Sequence, residues 1–584
     1  MISPSGAGGA FLRRQQMSSQ GLTAGAQVLL GHLVLVPLAG IAAALASPAG
    51  MDAISDVFTG RIARNMLWVP LTNTFLIGFV VALACLLLGG FLAWLVTMTD
   101  MPLRGPIGVL AALPFMIPTF AVALSWTVLF GDDRLGQSSM GFFAQLGFDV
   151  PSWLAWGGVP VTIVLIAHLY SIAYLMIVAA LVLVGRDLTA AAEIAGAPRS
   201  QILRNIVFPV VTPTLIAAGA LCFAEAVSSF SAPAILGLPV RFHTLATRAY
   251  GAIETGSPER GFVLIAVMIL VAGAFLALSA LAQRRGQAFT TVTGKAGHRG
   301  RTSLGVWGWP LALTATTVVV LTTIVPALAL VFSSLSAQTG ALFADPTLHF
   351  WIGQSDPGIA QGQAGILRNP QLVLAFWTTL AIGLMTGIAA MLCGLIVGTA
   401  ISKERYPLRR SLLEQVSFLP LLIPGLAIGA AFISFYGAPI GPLPSLYGTP
   451  TILVIAGVAA TLPFAVQAVA TAREQVAREL EESARIAGAS QVRILGAITI
   501  PLTASKLIAG FVLVFVKMVR DLDLVILLYT PQLPLLTVLA FRYASDGFAQ
   551  FAHAIAAVIL VISVAAHLLA SGLGRNAQPW LKDQ

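Results

Sequence analysis

Ionisable side chains inside long apolar stretches are the residues of this sequence whose types first suggest a function. Two polar groups stand at matching positions, 292 residues apart: Glu225, Ser228, Ser229 and Ser231, and then Lys517, Arg520, Asp521 and Asp523. A charge held in hydrocarbon is costly, so such residues usually face a polar cavity or each other. We predict that both groups line a pathway or gate for a polar solute. Pairing within one helix, Lys517 with Asp521 and Arg520 with Asp523, is the open alternative.

Covalent catalysis is not indicated by the sequence. It has no Ser/His/Asp, paired-carboxylate or metal-ligand arrangement, and its three cysteines lack disulfide or metal spacing. The nearest approach to a phosphate-binding G-x-x-x-x-G-K-[ST] loop is Gly294-Lys295, with Phe289 and Ala296 at the other required positions. We therefore expect no enzyme, no metal site and no bound cofactor on this chain.

The elements that position these groups are apolar runs long enough to cross a bilayer. The chain is 58% hydrophobic and 9% charged, with a mean hydropathy of +0.91, whereas soluble domains are about 25% charged. Backbone groups in lipid must bond within a helix, so the sequence predicts an all-α polytopic membrane protein. Twelve spans are predicted, at about 26–46, 71–97, 106–130, 159–184, 211–237, 261–282, 309–332, 371–400, 411–435, 450–472, 503–529 and 548–571.

The spans divide into two repeats of six. We expect a flexible cytoplasmic N-terminus (1–24), a first repeat (25–282), a basic linker (283–306), a second repeat (307–572) and a cytoplasmic tail (573–584). An even number of spans makes the repeats parallel. Leu-Pro-x-x-Ile-Pro occurs at 113–118 and again at 419–424, and is expected to kink spans 3 and 9. This offset of 306 exceeds 292, so the first repeat has about 14 extra residues between its third and fourth spans.

Lysine and arginine predict the orientation. With both termini and the linker on one side, that side has 21 of these residues and the other has 8. The positive-inside rule then places both termini in the cytoplasm. The net charge of +9 is explained by this topology, and a nucleic-acid partner is not expected.

A polar segment occurs twice on the predicted cytoplasmic side. The first polar segment, Thr189–Pro209, reads TAAAEIAGAPRSQILRNIVFP, and the second, Glu481–Pro501, reads EESARIAGASQVRILGAITIP. Each is predicted to be a short helix with a glycine inside it, lying along the membrane and turning back where the proline opens the next span. Two copies in register favour docking of a two-fold partner over a simple connecting loop.

The doubled segment resembles the EAA loop of ATP-binding cassette (ABC) importer permeases. The residues that match its pattern are Ala190, Ala191, Ala192, Gly196, Ile206 and Pro209, and then Glu482, Ser483, Ala484, Gly488, Ile498 and Pro501. The first segment lacks the leading glutamate, and Glu193 is out of register, which leaves open whether both loops are gripped alike.

The resemblance implies a type I importer permease with a MetI-like fold in the bacterial inner membrane. It also implies that each loop is a coupling helix seated in a separate ATPase subunit. The expected partners are two ABC ATPase subunits, which would bind the ATP, and an extracytoplasmic solute-binding protein.

The transported solute is indicated only by lineage. Ser229–Pro239 and Arg520-Asp521-Leu522 resemble ferric-iron permeases, so ferric iron is the expected solute. Thiamine, 2-aminoethylphosphonate and polyamines are the alternatives within this machinery. A secondary transporter, driven by an ion gradient through the span 11 charges, is the alternative of a different class.

Overall fold

Helices account for the architecture of the chain. The computed structural model describes residues 21–132, 140–183, 192, 194–286, 302–338, 342, 345–439, 441–442, 444–473, 476 and 478–576, which contain no β-strand. Ten helices there are long and apolar enough to cross a membrane: Gly21–Ala46 (span 1), Arg64–Met98 (2), Ser152–Val182 (4), Leu203–Ser228 (5), Pro258–Ala282 (6), Gly305–Ser334 (7), Pro370–Lys403 (8), Pro450–Arg473 (10), Leu495–Arg520 (11) and Ala549–Ala570 (12). Two bent helix pairs in the described residues bring the number to the predicted twelve if each pair is one span.

The bent pairs are spans 3 and 9. Arg104–Met116 meets Thr119–Phe130 at 100°, and Pro407–Leu422 meets Gly425–Tyr436 at 107°. Each break lies at an isoleucine in extended conformation, Ile117 or Ile423, which precedes a proline. The proline ring disfavours helical backbone in the residue before it. The predicted kinks are therefore confirmed, and each is a full break of the helix.

Prolines also explain five π-helical turns within the described residues. A proline lacks the N–H of the α-helical ladder, and its ring collides with the carbonyl four residues earlier. A π turn relieves this conflict by widening the ladder by one residue. Each turn ends two residues before its proline: Gly31–Leu35, Arg64–Trp68, Leu203–Val207, Val320–Ile324 and Leu495–Thr499 precede Pro37, Pro70, Pro209, Pro326 and Pro501.

The ends of spans 5 and 11 differ from the prediction. Both begin before their proline, at Leu203 and Leu495, so the expectation that the proline opens the span is wrong. Both also end early, at Ser228 and Arg520 rather than near 237 and 529. The next residue in each case has extended backbone, with ψ of 123° at Ser229 and 110° at Asp521. Hydropathy overlooked these breaks because the sequence stays largely apolar beyond them.

The first compact unit contains the described residues of Met1–Ser47, Leu374–Leu535 and Val561–Gln584. Span 1 therefore packs with spans of the second repeat, where Leu30 lies in a buried cluster with Val397 and Leu462. Spans 8 and 10 cross closely at Gly394, where an added Cβ would lie 2.9 Å from the Cβ of Ala465. Small residues of this kind allow membrane helices to approach.

The second compact unit contains the described residues of Pro48–Val373 and Leu536–Leu560. Its spans 2 and 4 cross at Gly89, where an added Cβ would lie 2.8 Å from the carbonyl oxygen of Tyr170 and 3.0 Å from the Cβ of Ala173. Gly89 and Ala173 correspond to Gly394 and Ala465 of the first unit through the sequence offsets 305 and 292. The same small-residue crossing is therefore built twice.

Candidate functional site

The second polar segment begins within a helix that spans Arg478–Ile486. Glu479 and Glu481 lie in its first turn and Arg485 in its last, which suits the helix dipole. Gly488 follows the helix with φ of +84°. The amide of Ala489 donates to the carbonyl of Ala484 at 3.0 Å, which is the Schellman C-cap. Gly488 thus ends the helix, and the expectation that it lies inside the helix is wrong.

The first polar segment has the same C-cap. Ala197 N–H donates to the Ala192 carbonyl at 2.9 Å, and Gly196 has φ of +79°. Ala190 and Ala191, together with Glu193, lie outside the described residues. A short helix, Arg199–Ile202, then leads into the π turn before Pro209. The two segments therefore have matching backbone conformations from the glycine onward.

A matched pair of exposed isoleucines precedes these glycines. Ile194 is 89% exposed and Ile486 is 87% exposed, and they are 292 residues apart. Single exposed apolar residues are ordinary on protein surfaces. This matched pair, more exposed than the other large apolar side chains described in the two segments, instead suggests a contact with a partner. The sequence showed these isoleucines as part of the repeat, but it did not indicate that they point away from the fold.

The second segment also has an ion-pair network that the sequence did not reveal. Glu481 is its centre: Arg473 Nη2 lies 3.3 Å from Oε1, and Arg485 Nη2 lies 3.0 Å from Oε2. The hydroxyl of Thr499 donates to Oε1 at 3.4 Å. The Glu481 side chain is only 12% exposed, whereas Glu482, at the motif position, is exposed. Adjacent helical residues point about 100° apart, so only one of them can face the spans.

The remaining motif residues occupy corresponding places. Ser483 is exposed and Ala484 is half-buried. Ile206 and Ile498 lie in the π turns, and Pro209 and Pro501 lie in the first α-helical turn after them. Their roles in coupling stay predictions.

The polar group at the end of span 11 has local and non-local contacts. The Lys517 ammonium lies 4.9 Å from the centroid of the Phe464 ring, a cation–π contact. Asp521 Oδ1 accepts the backbone N–H of Leu524 at 3.0 Å and so caps the turn that follows the span. Within the described residues, Lys517 and Asp521 do not form the ion pair considered as an alternative. Arg520 and Asp523 are half-buried.

The matching group at the end of span 5 is mostly buried. Glu225 is half-buried, and the Ser228 hydroxyl donates to the carbonyl of Ala224. Ser229 and Ser231 are buried at the break and in the short helix Ser231–Leu236 that follows. This group belongs to the second compact unit and the span 11 group to the first, so a shared pathway stays a prediction. In the described parts of the chain, no cluster of three His, Cys, Asp or Glu residues could hold a metal.

Comparison with known families decides the class of this architecture. Residues 85–286 and 390–582 each match the family described as the binding-protein-dependent transport system inner membrane component. The chain belongs to this family. The two matches begin 305 residues apart, which is the offset between Gly89 and Gly394, and so the fused two-repeat organisation is confirmed. Because the chain belongs to this family and has ten helices, among the described residues, that are long and apolar enough to cross a membrane, it is a multi-pass inner-membrane protein.

Individual relatives agree with the family. The ferric transport system permease protein FbpB of Actinobacillus pleuropneumoniae is 24% identical over 463 residues, 78% of this chain and 64% of that one. A probable ABC transporter permease protein, y4fN of Sinorhizobium fredii, is 25% identical over 96% of this chain and 97% of its own length. The chain thus spans just under two thirds of the length of the ferric relative. A crystal structure of a bacterial ABC transporter for alginate import aligns at 16% identity with a TM-score of 0.30, over 37% of this chain and 85% of that one.

Proposed function

We propose that this chain is the permease subunit of an ABC importer and that each polar segment docks one separate ATPase subunit. The observation that carries this proposal is the exposed isoleucine pair, Ile194 and Ile486, at matched positions of two similarly capped segments. An apolar side chain that enters a partner's pocket contributes more to affinity than the polar residues around it. Two such residues, one in each repeat, suit two copies of one partner.

The proposed arrangement places both polar segments in the cytoplasm, together with the two termini. The lysine and arginine bias of 21 to 8 supports this orientation. ATP would then be bound and hydrolysed by the partner subunits. The opposite face would receive a solute-binding protein, in keeping with a family of binding-protein-dependent systems.

Replacing the isoleucines tests the docking proposal. We expect Ile194→Asp with Ile486→Asp to abolish co-purification of the ATPase, because a carboxylate in an apolar pocket is not solvated. Val306→Asp is the matched control, since Val306 is also 87% exposed and lies at the start of span 7 on the same predicted side. The control should retain the ATPase.

Two results would oppose this proposal. Retention of the ATPase by the double variant would remove the isoleucines as docking residues. Uptake by the purified chain alone in liposomes with an ion gradient, without ATPase or ATP, would instead favour the secondary transporter.

We infer that the solute is ferric iron. The ferric permease relative supports this inference, as does the resemblance of Ser229–Pro239 to such permeases. The test is uptake by liposomes that contain the chain, its ATPase and its binding protein, with labelled ferric iron, thiamine, 2-aminoethylphosphonate and spermidine offered separately. Uptake of iron alone is expected. Uptake of another of these solutes in its place would contradict the assignment without affecting the docking proposal.

A further inference from the structure

Glu481 links three separate elements of the first compact unit through one carboxylate. Its own helix spans Arg478–Ile486, Arg473 is the last residue of span 10, and Thr499 lies in the π turn at the start of span 11. One oxygen contacts both Arg473 and Thr499, and the other contacts Arg485. The carboxylate therefore holds the polar helix against the ends of two spans.

Glu481 balances several positive charges in its surroundings. Lys403, the last residue of span 8, interacts electrostatically with Arg473, Glu481 and Arg485. Two arginines contact the carboxylate, and Lys403 adds a third positive charge that acts on it electrostatically. The side chains of Arg473 and Glu481 are 14% and 12% exposed, and removing one partner of a buried pair leaves an uncompensated charge. Loss of the Glu481 charge should therefore loosen the helix from spans 10 and 11.

The first polar segment has no counterpart of this network at the matched positions that the structure describes. Arg473 corresponds to Leu181 and Thr499 to Val207, and both of these apolar side chains are buried. Lys403 corresponds to Met98 through the offset of 305. Apolar packing thus replaces the ionic contacts at the ends of spans 4 and 5.

We propose that Glu481 is a positioning residue that ties the second polar segment to spans 10 and 11, so that a movement of the docked ATPase is transmitted to these spans. The inference rests on the proposed function, because it needs an ATPase on this segment. It goes further in assigning unequal mechanical coupling to the two ATPase contacts. The second contact is ionically clamped, whereas the first has apolar side chains at the matched positions that the structure describes.

Hydrogen exchange on the assembled complex tests this clamp. The full chain with its ATPase in lipid nanodiscs would be compared as wild type and as Glu481→Gln, which keeps the side-chain shape but removes the charge. Exchange of backbone amides in 478–494 should rise about tenfold, since local opening needs fewer contacts to break. Exchange in 194–207 should stay unchanged and serves as the internal reference. Equal rises in both segments, or no rise in 478–494, would overturn the proposal.

Transport coupling provides a readout that a purely structural role would not move. Glu481→Gln should retain the ATPase on co-purification, yet hydrolyse several times more ATP for each solute imported. Glu479→Gln is the matched control, because Glu479 lies on the same helix and is exposed. An unchanged ratio in Glu481→Gln, or the same increase in Glu479→Gln, would oppose the positioning role.

A second variant covers the case in which Glu481→Gln does not fold. Arg485→Gln removes the ion pair between Glu481 and an arginine whose side chain is one-third exposed. It leaves Glu481 paired with Arg473. It should raise exchange in 478–494 by about threefold, in line with the modest strength of partly exposed pairs. Unchanged exchange would reject the clamp. A wild-type chain that retains no ATPase would reject the proposed function itself, which distinguishes the two failures.

Discussion

The two polar segments have the same backbone cap but different attachments to the spans beneath them. Gly196 and Gly488 both have left-handed backbone, and both are preceded by an isoleucine that points away from the fold. Only the second segment, within the described residues, is joined to its spans by a carboxylate network. The comparison suggests that the shape presented to a partner and the transmission of force from that partner are encoded by different residues. The two repeats can therefore keep the shape that they present to a partner while they diverge in how force from that partner is transmitted.

The largest expected effect tests what the segments share. Gly488→Val places a branched side chain at φ of +84°, where L-residues cost roughly 1–2 kcal/mol and branched ones more. An added Cβ would meet no atom within 4 Å, so the cost is in the backbone alone. We expect ATPase affinity to fall by tenfold or more, measured by titrating the ATPase onto the chain in nanodiscs.

Gly196→Val and Gly496→Val complete this test. Gly196 has φ of +79° and is equally open, so its replacement should lower affinity as much as that of Gly488. Gly496 has open space but lies within the π turn, and its replacement should have little effect. Equal losses in all three variants would show that left-handed backbone is not the shared requirement.

A smaller effect is expected when the second segment is made to resemble the first. Arg473→Leu reproduces Leu181 and removes a guanidinium 3.3 Å from Glu481. Because Arg485 still pairs with the carboxylate, we expect the free energy that holds the segment against its spans to fall by about 1–2 kcal/mol. This value lies between those of exposed and buried ion pairs. Limited proteolysis of the 474–490 region should become faster. Cleavage at the wild-type rate would mean that the arginine does not hold the segment.

The smallest effect concerns a single hydroxyl. Thr499→Val reproduces Val207 and removes the 3.4 Å hydrogen bond to Glu481. The hydrogen bond is long and the carboxylate keeps two other partners. We therefore expect the free energy that holds the segment to fall by about 0.5–1 kcal/mol. In the same proteolysis assay the increase should be less than that of Arg473→Leu. A larger increase would place the centre of the network at Thr499 instead of at the arginines.

The number of spans and the doubled polar segments could be predicted from the sequence because both depend on local patterns. Apolar length predicted the spans, and the Leu-Pro-x-x-Ile-Pro element predicted the kinks in spans 3 and 9. The ends of spans 5 and 11 could not be found in this way. Ser229 and Asp521 turn away from helical backbone, while the apolar composition that hydropathy measures continues.

The residues of the site were only partly accessible to sequence reasoning, because their roles depend on contacts between distant elements. The motif directed attention to Glu482, yet its neighbour Glu481 faces Arg473 and Thr499. Likewise, helical spacing offered Asp521 as the alternative partner of Lys517, whereas the Lys517 ammonium lies over the Phe464 ring of span 10. Helical spacing predicts contacts between residues of one helix, but it does not predict contacts with a residue of another span.

The π turns before Pro209 and Pro501 have a consequence for the angular phase of the spans that follow. A π turn accommodates one extra residue, and one residue corresponds to about 100° of rotation in an α-helix. Each turn therefore sets the direction in which a later side chain points relative to the polar segment of its own repeat. That side chain is Glu225 in the first repeat and Lys517 in the second. Both repeats have the turn at the same place, so the two spans have the same rotational offset. A one-residue deletion there would turn the side chain of Glu225 or Lys517 away from its present direction without changing either residue.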